Sequence, residues 1–302
     1  MRFRETERVP DSRIIRVADA FQPRNDLRDT TDGHPTTELV ISCEHASHRL
    51  PTHLDLGVTT DELLSHVSWD HGAWPIARHL ASKLVAPLHG GTFSRLYVDL
   101  NRNEHRDDVI PATSFGTPVP GNQNLTAGER EQRIAAIHRP YRRGLRRTIE
   151  GVIARGHRCF HLSIHSFTPV MHGKVRGFDL GILFDPSHAG APDLASRLIE
   201  DLKIMGFDTR GNEPYPGTVD SVVSWLAGTS ESGFATPGMY VGIGFEVNHA
   251  ITERPGGIAA VSQALESILQ RFIGPPRADA RTVGQPIPAF EFLGSTSELS
   301  GA

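Results

Sequence analysis

Between residues 37 and 274, short β-branched apolar runs alternate with longer stretches whose apolar residues recur every three or four positions. The runs "ELVISC" (38–43), "RLYVDL" (95–100), "CFHLSIH" (159–165), "LGILFD" (180–185) and "YVGIGFEV" (240–247) predict strands. Helical spacing predicts helices over Ala73–Leu84, where Ala77, Leu80 and Leu84 share a face, and over Ala127–Ala154, Pro192–Met205 and Ile258–Phe272. Strands separated by helices of this length predict a single α/β domain with a mostly parallel or mixed central sheet and helices on both faces. Residues 1–36 are polar, charged and without period, and residues 275–302 carry the Pro and Gly of an extended tail, so the domain is expected to span 37–274.

Ligands of such sheets bind beyond the carboxyl ends of the strands, which makes polar residues there candidates for function. Four of the expected strands end in reactive groups. They deliver Cys43-Glu44-His45, then Asp99 with Asn101, Arg102 and Asn103, then His165-Ser166, and last Glu246 with Asn248 and His249.

Composition narrows the function classes. The chain has 302 residues, a formal net charge of −4 and 38% hydrophobic residues, which describes a globular protein rather than a disordered or membrane-embedded one. Basic residues are interspersed with acidic ones except in "RPYRRGLRR" (139–147), which reads as a solvated helix face, so a nucleic-acid partner is not expected. The two cysteines are too few for a disulfide framework. The N-terminus lacks the apolar core of a signal peptide and no stretch approaches a membrane span, so a cytoplasmic protein without a membrane partner is expected.

Of the 16 histidines, His34, His53, His89, His157, His172 and His188 lie in polar surroundings and are expected to be ordinary. His45 and His165 instead follow apolar runs, where imidazole suits zinc or another divalent metal; a buried structural histidine is the alternative for each. A catalytic zinc needs a third protein donor, for which His48, Asp70 and Glu44 are candidates. Glu44 is the weakest of them if the strand persists through it, because neighbouring strand side chains point to opposite faces.

Cys43, facing the same way as His45 on an extended strand, is a rival nucleophile with Glu246 as orienter, but no cation or helix N-terminus adjoins it to lower its pKa, and it is expected to pack. Glu246, ending a very apolar strand, is the candidate general base, its alternative being a salt bridge to Arg102 or Arg95. Arg102 and Asn101 suit a substrate carboxylate, with Asp99 steadying the arginine. Arg95 and Arg176 are further candidate anion-binders.

The set "SCEH" with Pro51, "WDHGA", "SRLYVDLNR", "IHSF", "DLGILFD" and "GFEVNHA", in this order over residues 38–250, resembles the N-formylglutamate amidohydrolase family. That family is similar in fold to the zinc carboxypeptidases and succinylglutamate desuccinylases. The resemblance implies His45, His165 and Asp70 as metal ligands, with His48 as a substitute for Asp70. It implies Asn101 and Arg102 as carboxylate readers and Glu246 as base. The implied reaction is hydrolysis of N-formylglutamate to formate and glutamate, a step of histidine breakdown. This chain's "SCEH" departs from the "PHSG" type that defines that activity, which leaves another acidic N-acyl amino acid, or a non-catalytic carboxylate-binding protein, as alternatives.

Overall fold

The structure, a computed structural model, describes residues 35–52, 54–228, 234 and 238–273. Nearly all of the N-terminal extension, with His34, together with His53 and the C-terminal tail, lies outside the described residues.

Six strands form one mixed sheet in the order β2-β1-β5-β10-β8-β9: β1 (Thr37–Cys43), β2 (Leu88–Gly90), β5 (Arg158–Phe167), β8 (Leu180–Leu183), β9 (Thr209–Gly211) and β10 (Tyr240–Asn248). The first four in that order run parallel, and β8 and β9 run opposite to them. Two small hairpins, β3–β4 (Thr113–Ser114 and Thr117–Pro118) and β6–β7 (Val170–Met171 and Lys174–Val175), stand outside the sheet. Helices α2 (Ala73–Leu84), α5 (Ala191–Ile204) and α8 (Gly257–Leu269) cover one face. The long helical stretch expected over 127–154 is α3 (Ala127–Arg133), a wider-wound turn at Ile134–His138, and α4 (Arg139–Ala154); α4 and the short α6 (Val222–Ala227) cover the other face. The remaining helices, α1 (Thr60–Leu63) and α7 (His249–Thr252), are single turns.

The alternation of the central strands decides what each face carries. On β1, β5 and β10, Ile41, Cys43, Leu162, Ile164, Phe245 and Val247 enter the larger core under α2, α5 and α8. Each such fully buried aliphatic or aromatic side chain contributes roughly 1.5–3 kcal/mol. The intervening positions, His161, Ser163 and His165 on β5 with Ser42 on β1, form a buried polar row on the opposite face. His161 is satisfied within that row by Ser42 Oγ (2.8 Å) and the Tyr240 hydroxyl (2.8 Å).

One expected strand is not one. Residues 95–100 form a chain of turns whose apolar side chains, Leu96, Val98 and Leu100, are buried as a strand's would be. Their backbone is satisfied without a ladder: Asn122 Nδ2 donates to Leu96 O (2.7 Å) and the Asp99 N–H to Val109 O (2.7 Å). β2 and β9, three residues each, are too short to show a period in the sequence. The basic stripe is only partly a solvated face. Arg139 pairs with Glu104, and Arg146 with Glu150, near the surface, but Arg142 is buried and donates to Leu100 O and Arg102 O.

Candidate metal centre and active site

The strand register brings the reactive ends together. Ser42 pairs with Ser163 and Glu246 with His165, so Glu44, His165 and Glu246 lie in a row across adjacent strands. β1 ends at Cys43 and the chain turns at Glu44-His45, which breaks the expected alternation. Gly91 permits that turn: a Cβ there would stand 2.0 Å from Glu44 O. Cys43 therefore does not face the way His45 does; it is wholly buried in the apolar core, and burial raises its thiol well above the ordinary range. A thiol nucleophile is excluded on that geometry.

His45, Asp70 and His165 converge, with one potential ligand atom from each lying within 4.8 Å of the others. Asp70 Oδ2 stands 3.2 Å from His45 Nδ1 and 2.8 Å from His165 Nδ1. Its other oxygen takes the Arg95 guanidinium. The outer nitrogens of the two imidazoles are also held. His45 Nε2 meets Asp99 Oδ1 at 2.8 Å, and His165 Nε2 meets Ser163 Oγ at 2.9 Å and Glu44 Oε2 at 3.1 Å. With Nε2 of each ring turned to partners outside the cluster, the Nδ1 atoms, which both face Asp70 Oδ2, are the ones turned toward a metal position.

Glu44 is thus the residue whose role sequence reasoning missed. It is not in the donor cluster, but it is wholly buried, accepting from Tyr141 Oη (2.8 Å) and Ser163 Oγ (2.6 Å). Burial favours its neutral form, yet the bonds from His165 and Ser163 prevail and hold its carboxyl far below the usual range. Asp70 and Asp99 are likewise kept ionised against burial, by Arg95 and His45 respectively. For His165, the bonds to Asp70 and Glu44 outweigh burial and raise its pKa well above the ordinary value. His48 stands apart: its ring packs edge-on to Trp69 at 5.2 Å, and its buried Nδ1 has no partner.

Glu246 differs from the other carboxylates. Burial, with Asp70 adding to it, raises its pKa to about 7, and its buried Oε2 has no hydrogen-bond partner. Among the described residues no ion pair joins it to Arg95 or Arg102, so the salt-bridge alternative does not hold.

His45, Asp70, Arg95, His165 and Glu246 line a cavity of about 200 Å³ that also includes Asp99, Asn101, Arg102, Phe115 and Tyr215. The Arg102 side chain is 40% exposed and meets Asp99 only at 3.9 Å, leaving its fork for a ligand. His138 Nε2 (2.8 Å) and Arg142 (2.7 Å) both donate to the Arg102 carbonyl and fix this loop from the α3–α4 stretch. Asn101 Oδ1 accepts the Val222 N–H at the start of α6 (2.8 Å), so its amide nitrogen is the end available to a ligand. Arg176 does not line the cavity; its guanidinium lies over the Tyr215 ring at 5.2 Å and donates to the Tyr215 hydroxyl.

A model of the N-formylglutamate amidohydrolase family matches residues 37–249, the whole stretch that builds this site. The chain belongs to that family. Two solved structures share its fold. A gene product from Agrobacterium tumefaciens is 30% identical with a TM-score of 0.69, over 79% of this chain and 91% of that one. The N-formylglutamate amidohydrolase from Ralstonia eutropha JMP134 is 20% identical with a TM-score of 0.58, over 80% and 93%. No curated protein matches. Among the described residues no helix is long and apolar enough to cross a membrane.

Proposed function

We propose that this member of the amidohydrolase family cleaves the acyl amide of an N-acyl, chiefly N-formyl, amino acid with the help of a divalent metal, giving formate and the free amino acid. The observation that carries the reading is the pairing of a buried His45-Asp70-His165 donor set with an unpartnered carboxyl at Glu246.

The residues fit a zinc-type ion. Two imidazoles and one carboxylate are the donor set of catalytic zinc sites, and the outer carboxylates Asp99 and Glu44 orient the imidazoles. A cation held there would supply Lewis-acid polarisation of the acyl carbonyl and acidify a water. Arg102 and the Asn101 amide nitrogen bind the substrate α-carboxylate and so hold the amide over the donor cluster. Glu246, with its pKa near 7, takes the proton of the attacking water as oxygen bonds to the acyl carbon, and returns it to the leaving nitrogen as the C–N bond breaks. Arg95, beside Asp70, offers positive charge to the developing oxyanion.

The direct test is a screen of N-formyl, N-acetyl and N-succinyl amino acids against purified protein with zinc and after chelation. Zinc-dependent release of formate is expected, and full activity in the chelated, metal-free protein would refute the metal role. Arg102→Lys is expected to raise KM about tenfold or more with a smaller change in kcat, because a bidentate fork becomes a point charge; an unchanged KM would remove Arg102 from substrate binding.

A further inference from the structure

Phe115 occupies a position its own turn does not favour. The β3–β4 hairpin pairs Ser114 with Thr117, so Phe115 and Gly116 are a two-residue loop, with φ of 48° and 85°. Positive φ at both central residues marks a type I′ turn, which favours Asn-Gly; a bulky aromatic at its first position is an outlier. Burial does not compensate, since Phe115 is 40% exposed. Instead the hairpin is tethered by Ser114 Oγ to Val67 O (2.8 Å), and the Phe115 ring is held at the cavity by the His66 edge (5.0 Å) and the Arg95 guanidinium (5.6 Å). Backbone strain kept at a cavity wall points to a use for the side chain there.

The charges of the cavity point to what that use is. Its lining carries the acids Asp70, Asp99, Asp220 and Glu246 against the guanidiniums of Arg95 and Arg102. Arg95 is matched to Asp70 and only 10% of its side chain is exposed, although its buried Nε has no hydrogen-bond partner. Arg176 lies behind Tyr215. Of the two guanidiniums lining the cavity, that of Arg102 is therefore the one both exposed and without a close carboxylate, placed to take one ligand carboxylate. A second carboxylate, as in N-formylglutamate, would enter a wall in which Phe115, Phe167, Leu183, Val219 and Val223 stand among the neutral polar side chains of Ser166, Thr168, Tyr215 and Ser221, where no second exposed guanidinium waits among the described residues and Asp220 is already paired with Arg106.

Building on the hydrolase reading above, we propose that the site selects N-acyl amino acids with an uncharged, apolar side chain, which lies against Phe115 while Arg102 and Asn101 take the single α-carboxylate.

The test compares kcat/KM of the zinc-loaded protein for N-formyl-L-phenylalanine, N-formyl-L-leucine and N-formyl-L-glutamate, and measures calorimetric binding of the same compounds to the Glu246→Gln protein. The apolar compounds are expected to lead N-formylglutamate at least tenfold in both. Phe115→Asn, which suits the turn, is expected to raise Tm and to cut the preference for N-formylphenylalanine over N-formylglycine at least tenfold, chiefly through KM. Cleavage of N-formylglutamate as well as or better than the apolar compounds overturns the specificity and leaves the hydrolase reading standing. Preferential binding of apolar compounds with cleavage of none supports the specificity and overturns the hydrolase reading. An unchanged preference in Phe115→Asn overturns the role of that ring.

Discussion

Glu246→Gln is expected to lower kcat about 10³-fold while the protein keeps its metal, within the ~10²–10⁴-fold contribution of a positioned general base and equivalent to roughly 4 kcal/mol of barrier. The amide matches the carboxyl in shape but cannot accept the proton. The fold should not suffer, because Glu246 Oε2 has no partner to lose. Stability should in fact improve at alkaline pH. In metal-free protein the folded pKa of Glu246 is raised from its ordinary 4.5 to about 7, so its contribution is intact below pH 4.5 and is lost as pH rises through 7. The glutamine variant escapes that loss. Its urea midpoint, measured with chelator present, should match wild type at low pH and exceed it at pH 8, by an amount corresponding to at most about 3 kcal/mol. A wild-type rate in the variant would refute Glu246 as the base, and identical midpoints at pH 8 would refute the buried, uncompensated carboxyl.

Asp70→Asn is expected to affect both the metal and the fold. Asp70 is the carboxylate that touches both imidazoles and also takes the Arg95 guanidinium. Zinc affinity should fall by more than the ~10–100-fold typical of losing an outer partner of a metal-bound histidine. Stability should fall by about 3 kcal/mol, because removing one member of a buried pair leaves the other charge uncompensated. Metal content by elemental analysis and the urea midpoint report the two effects separately. His48→Ala is the control: with its ring on Trp69 and outside the donor cluster, it should leave zinc binding unchanged. Loss of zinc in His48→Ala with retention in Asp70→Asn would reverse the assignment of the third ligand.

The site was partly legible in the sequence because a parallel sheet brings together the carboxyl ends of its strands. His45, His165 and Glu246 each close an apolar run, and Asp70 stands just before a helix whose span, Ala73–Leu84, follows from its period alone. Arg95 was legible as a charge at the site but not as Asp70's partner, and Arg176 was legible only as a cation in a glycine-bounded loop. Its place behind Tyr215 depends on how the 170–176 hairpin folds over Phe167, at 5.9 Å from its ring. Strand alternation argues against Glu44 in the sequence, but β1 ends at Cys43, one residue too early for that argument to apply. Phe115 gave no signal, since a Phe-Gly pair does not announce a type I′ turn.

Local pattern determined the elements, because the periods of two and of 3.6 are properties of the backbone and need no partner to be read. The α/β class, the central strands, four of the helical stretches and the strand-end histidines and carboxylates come from that source. Tertiary structure alone decided the rest. Burial of 95–100 could be satisfied by a ladder or by side chains such as Asn122, and only the assembled fold shows that it is the latter. Which carboxylate faces an imidazole, which guanidinium is already matched and which aromatic is held at the cavity depend on contacts between residues tens to more than a hundred positions apart. No local periodicity records them.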